Sequence, residues 1–125
     1  MRRARLEISS DLWWRCLNLL SKRSDIRYLE LLRDYRRVAG EVKRVVREID
    51  PRAEVYVFGS VVKGRFTGAS DIDILVVTDM VDRRYDFMVR VYKAVDAPVE
   101  LHATSPEQFE RWYRRFIASD ELVRI

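Results

Sequence analysis

Asp71 and Asp73 stand two residues apart and lead into an apolar run, Ile74-Leu75-Val76-Val77. On a strand that spacing puts both carboxylates on one face. Like charges side by side on a strand disfavour folding. Carboxylates leading into a buried central strand therefore need a compensating cation. An oxygen-only donor set, with neither a histidine pair nor a cysteine pair, suggests Mg2+ or Mn2+ rather than zinc. The competing reading is an exposed strand end with both aspartates solvated, and Asp-x-Asp alone does not separate the two.

Upstream, Val55-Tyr56-Val57-Phe58 is a short β-branched and aromatic run that ends at Gly59-Ser60. Gly59 can take a positive φ or let a ligand approach the backbone. Ser60 falls at what reads as a helix N-terminus, where free N–H groups and the hydroxyl hold phosphate oxygens. Gly-Ser after a strand is, by itself, more often an ordinary turn.

Helices and strands must position these residues. Ser9-Ser10-Asp11 offers N-caps, and Leu12, Trp13, Cys16, Leu17, Leu19 and Leu20 recur at helical spacing. Ser24-Asp25 opens a second helix, whose stripe runs from Tyr28 to Ile49 and stops at Asp50-Pro51. Strands follow at 55–58 and 71–77. Tyr85, Met88, Val89, Tyr92 and Val95 mark a helix, and Pro98 to Ala103 a third strand. Ser105-Pro106-Glu107-Gln108 is a helix start with an N-cap, a first-turn proline and a capping-box glutamine. Phe109, Trp112, Tyr113, Phe116 and Ile117 are the expected buried stripe of that last helix. The order helix-helix-strand-strand-helix-strand-helix implies an α/β domain around a small mixed sheet.

Gly59-Ser60, ten intervening residues and Asp71-x-Asp73 together resemble the signature of the DNA polymerase β-like nucleotidyltransferase superfamily. The chain looks closest to its small stand-alone branch, the minimal nucleotidyltransferases. Gly64 and the hydrophobic run after Asp73 also match, and the resemblance covers about residues 53–118. It implies a nucleotidyltransferase-like α/β (α+β) fold: a small mixed sheet flanked by helices. The expected layout is a single domain over 1–125, with an N-terminal helical extension over 1–24 and a core over about 25–118.

The resemblance also implies roles. Gly59, Ser60, Lys63, Gly64, Arg65 and Ser70 would bind the nucleotide; Lys63 and Arg65 read more readily as solvated loop residues. Asp71 and Asp73 would bind divalent metal, Mg2+ or Mn2+. A third carboxylate on a later strand completes the metal site and deprotonates the attacking hydroxyl. Glu100 is preferred over Asp96, which precedes Pro98 and reads as a helix end. His102 shares the face of Glu100 and either contacts substrate or is structural. The implied reaction is in-line attack on an α-phosphate, with two ions ~3.5–4 Å apart at the attacking and leaving oxygens. The implied nucleotide is ATP, with AMP passing to a hydroxyl.

Larger members carry a second domain that selects the acceptor. This short chain is expected to rely on a partner, a second copy of itself, or its N-terminal helices. Minimal nucleotidyltransferases are often paired with a HEPN-type helical protein, in toxin–antitoxin fashion, and add AMP to its tyrosine or simply bind it. A catalytically weak or inactive antitoxin that docks its helical partner is the alternative reading. Trp13, Trp14 and the long helical stripe could provide the docking surface.

Composition sets the outer bounds. A chain of 125 residues is one domain, and 48% hydrophobic content is enough for a packed core. No window approaches the ~18–20 apolar residues of a membrane span. The basic start, Met1-Arg2-Arg3-Ala4-Arg5, has no apolar stretch or cleavage site behind it, so no signal peptide is expected. The single cysteine, Cys16, excludes a multi-cysteine zinc site and fits a reducing cytoplasm. The single histidine excludes mechanisms that need two. Residues 1–50 hold thirteen Lys and Arg against eight Asp and Glu. Acids interleave with these bases, which favours a salt-bridged surface over an anion-binding half. The net charge of +4, without basic patches interleaved with exposed aromatics, does not support nucleic-acid binding.

Overall fold

A computed structural model of the protein describes residues 25–67 and 70–125. The expected first helix, with Trp13, Trp14 and Cys16, lies outside the described residues. Helix α1 spans Asp25–Arg33 and α2 spans Tyr35–Ile49. The stripe read as one long helix is thus interrupted at Asp34, whose ψ of 37° leaves the helical range. Asp34 instead uses its carboxylate to accept from Arg37 Nε at 2.7 Å. Local side-chain bonding of this kind favours helix starts over helix interiors. In α2 the buried residues are Val38, Ala39, Val42, Val45 and Val46, the spacing of one apolar face.

Strands β1 (Glu54–Phe58), β2 (Ile72–Val77), β3 (Val99–Thr104) and β4 (Leu122–Arg124) form one sheet in the order β3-β2-β1-β4. Strand β1 is antiparallel to β2 and β4, and β2 is parallel to β3. The parallel pair needs a crossover, and helix α3 (Arg84–Ala94) supplies it. Nearly every residue of β2 is buried, as expected for a central strand covered on both faces.

The two faces carry separate cores. Val55, Val57, Ile72, Ile74, Val76 and Leu101 join α2 and α3 in the larger one. Tyr56, Leu75 and Val77 pack against Phe109 on the other face. Phe109 belongs to helix α4 (106–116), a turn at Pro106–Gln108, a π-helical segment at Phe109–Tyr113 and a last turn at Arg114–Phe116. Ser105 caps its start, accepting from Gln108 N.

Two expectations change here. The last helix does not bury its whole stripe: Phe109 is buried, but Trp112 is 54% and Phe116 73% exposed. A π-helical segment turns through less arc per residue than an α-helix. Positions spaced for 3.6 residues per turn therefore rotate off the sheet. The sheet also continues past residue 118, because the three residues of β4 pair with β1. So short a strand carries no readable alternation.

One buried polar knot ties the helical layer to the sheet. The Thr78 hydroxyl donates to Asp50 Oδ2, and Asp50 Oδ1 accepts from Arg52 N at 3.0 Å. Both side chains are buried. Replacing Asp50 with alanine strands those donors, and urea denaturation should show a loss of about 2–3 kcal/mol.

Candidate metal and nucleotide site

The site is built on the face of the sheet that carries α4. Along β2, alternation places Asp73 on the same face as Leu75 and Val77. Register then sets its neighbours: Phe58 of β1 lies opposite on one side and Glu100 of β3 on the other. His102 is two residues beyond Glu100 and shares its face. Donor atoms of Asp73, Glu100 and His102 all lie within 4.8 Å of one another, and all three side chains are half-buried. His102 Nε2 stands 3.8 Å from Asp73 Oδ1. Its ring packs on Phe58, centroids 5.5 Å apart and tilted by 51°.

Gly59 explains why a glycine ends β1. Its φ is +92°, a conformation side chains rarely adopt. A Cβ there would also meet Asp73 Oδ2 at 2.6 Å. The bare backbone of residue 59 is thus what leaves room for the carboxylate. From Ser60 the chain continues as a series of turns, not the expected helix. Val62 N bonds to Gly59 O, Gly64 N to Val61 O and Arg65 N to Ser60 O. Gly64 follows Lys63 with φ +74° and open space around it, so this second glycine reverses the turn before a helix can propagate.

The other expected residues are distributed around this centre. Asp71 is exposed just before β2 and does not belong to the converging group. Ser60 and Arg65 are exposed on the turn. Lys63 Nζ pairs with Glu121 Oε2 at 2.9 Å, which joins the turn to the segment before β4. Ser70 closes a turn of its own, its Oγ accepting from Thr67 N at 3.0 Å. Asp96 is exposed between α3 and β3, whereas Glu100 lies beside Asp73.

His102 enlarges the donor set that the sequence suggested. The expected set was oxygen only, yet an imidazole nitrogen stands among the carboxylates. Its position two residues after Glu100 was the available signal. An open cleft of about 960 Å3 lies alongside, between α4 and the sheet. Phe58, Thr104, Gln108, Trp112 and Phe116 line it. Phe58 thus borders both the cleft and His102. Beneath α4, burial and then the hydrogen bond to Glu54 raise the Tyr56 hydroxyl above the usual phenol range. Tyr56 therefore stays a neutral donor under Phe109, 4.7 Å away.

A glycine turn laid against paired carboxylates on a half-buried sheet face is suited to a metal ion and a phosphate chain. Residues 39–125 match the sequence model of the nucleotidyltransferase domain, and the chain belongs to that family. It is similar to the crystal structure of an inferred nucleotidyltransferase, at 30% identity and a TM-score of 0.55, covering 69% of this chain and 95% of that one. It also shares the fold of the 1.40 Å crystal structure of an inferred nucleotidyltransferase from Sulfolobus solfataricus. There the identity is 24% and the TM-score 0.53, over 83% of this chain and 88% of that one. No curated protein matches it. No helix among the described residues is long and apolar enough to cross a membrane.

Proposed function

We propose that this protein is a metal-dependent nucleotidyltransferase that moves AMP from ATP to a hydroxyl of a partner, a tyrosine of a HEPN-type helical protein being the favoured acceptor. The observation that carries the reading is the packing of Gly59 against Asp73, with Glu100 in register beside it. A degenerate binding module has no need to hold two carboxylates together on a half-buried sheet face, since their repulsion costs stability.

A divalent ion, Mg2+ or Mn2+, supplies Lewis-acid stabilisation of phosphate charge when bound. Asp73 and Glu100 would hold it, with Asp71, just ahead of β2, as the further carboxylate that the family resemblance implies. The turn from Ser60 to Gly64 binds the β- and γ-phosphates through backbone N–H groups, the Ser60 hydroxyl and Lys63. Arg65 and Ser70 flank it. Glu100 takes the proton of the acceptor hydroxyl. The acceptor oxygen bonds to the α-phosphorus as the α–β bridging bond breaks, and pyrophosphate leaves. The cleft beside Phe58 admits the acceptor. A cytoplasmic setting, where ATP and a reduced Cys16 coexist, belongs to the same proposal.

The test uses ATP labelled at the α-phosphate, the full chain, a divalent ion and a HEPN-type partner. Label appears on the partner together with pyrophosphate, and neither appears after chelation. Tight partner binding with no nucleotide consumed would sink this reading in favour of a docking module.

A further inference from the structure

One residue of the centre takes no part in the proposed reaction. His102 is the single histidine of the chain, and its Nε2 faces Asp73 Oδ1 at 3.8 Å. That gap is too long for a hydrogen bond. It falls within the range for two ligands of one ion: with bonds of about 2.0–2.2 Å, ligand atoms lie about 3–4.4 Å apart. The imidazole is fixed from behind by the Phe58 ring. The Glu100 carboxylate closes the same group, with all three donor atoms within 4.8 Å. Room for a ligand exists because residue 59 has no Cβ to crowd Asp73.

We propose that His102 is a nitrogen ligand of the divalent ion and that it biases this site toward first-row transition ions such as Mn2+ over Mg2+. The inference rests on the metal-dependent reading above and deepens it. Mg2+ demands a near-ideal oxygen shell and gives up water reluctantly. First-row transition ions tolerate an imidazole nitrogen better than Mg2+ does, Mn2+ the least strongly of the series. A nitrogen in the shell therefore selects against Mg2+ at a position where an all-carboxylate set would not. A purely structural histidine, stacked on Phe58, would leave metal preference untouched.

The single histidine makes the test unambiguous, since any imidazole signal on a bound ion comes from residue 102. Full-length protein carrying 15N-histidine is loaded with Mn2+ and examined by pulsed EPR. Calorimetry then compares Mn2+ with Mg2+ for the wild type, His102→Gln and Asp73→Asn. The expected result is 15N coupling in the wild type. In His102→Gln the Mn2+ affinity falls about tenfold or more, while Mg2+ affinity changes much less. Asp73→Asn loses both ions. Bound Mn2+ without nitrogen coupling, or equal weakening of both ions by His102→Gln, overturns the inference and leaves the carboxylate site standing. Wild-type binding of both ions by Asp73→Asn overturns the metal reading itself, and this inference with it. The EPR signal is read on the wild type, so it does not depend on how the variants fold.

Discussion

Asp73→Asn is expected to abolish the proposed nucleotidyl transfer, with turnover falling by about a thousandfold or more, or roughly 4 kcal/mol of transition-state stabilisation. The size follows from position. Asp73 lies on the central strand, its carboxylate faces Gly59, and Glu100 and His102 converge on it. Asparagine has nearly the same shape but lacks the charge that the proposed reaction needs to hold an ion. The same substitution should not unfold the protein. Asp73 and Glu100 are directly opposite across β2 and β3, and removing one of two facing like charges relieves repulsion. The metal-free melting temperature is therefore expected to stay level or rise slightly. Lost activity with unchanged or increased stability marks a residue kept for function. A fall of several degrees would show that Asp73 is structural instead.

Gly59→Ala is expected to remove activity by a different route. The added methyl meets Asp73 Oδ2 at 2.6 Å, and the backbone is held at φ +92°. Positive φ alone costs a non-glycine residue about 1–2 kcal/mol. The clash adds to that or pushes the Asp73 side chain away from Glu100. The variant is expected to lose about 2–4 kcal/mol of stability and all measurable metal binding. Gly64→Ala is the matched control. It has a positive φ of 74°, but nothing stands within 4 Å of its Cβ position. It should lose only about 1–2 kcal/mol, with the metal site intact. Urea denaturation and metal titration on the pair separate backbone strain from the clash. Equal metal binding by the two variants would show that Gly59 does not shape the site.

Much of this site was legible in the sequence because its chemistry is local. Asp73 announces itself by an unfavourable placement before an apolar run, and Gly59 by ending a strand, whereas Asp71, read alongside Asp73, lies outside the converging group. Glu100 was readable from strand alternation, but its pairing with Asp73 is a matter of register between distant strands. The placement of His102 was legible, its convergence was not: sequence puts it on the face of Glu100 but cannot say how far it lies from Asp73. The π-helical segment at Phe109–Tyr113 escaped for a related reason. Its residues are spaced well for an α-helix, and the π-helical winding that turns Trp112 and Phe116 outward leaves no mark in that spacing. The break at Asp34 and the short β4 rest on single turns and on pairing with β1, which hydropathy does not encode.

On the proposed function, this chain binds a nucleoside triphosphate through a divalent ion held by Asp73. Calorimetry with α,β-methylene-ATP tests it without knowledge of the acceptor. The expected result is binding in Mn2+ or Mg2+ that disappears with EDTA and in Asp73→Asn. Binding of equal strength with and without the metal, or none by the folded wild type, would contradict it.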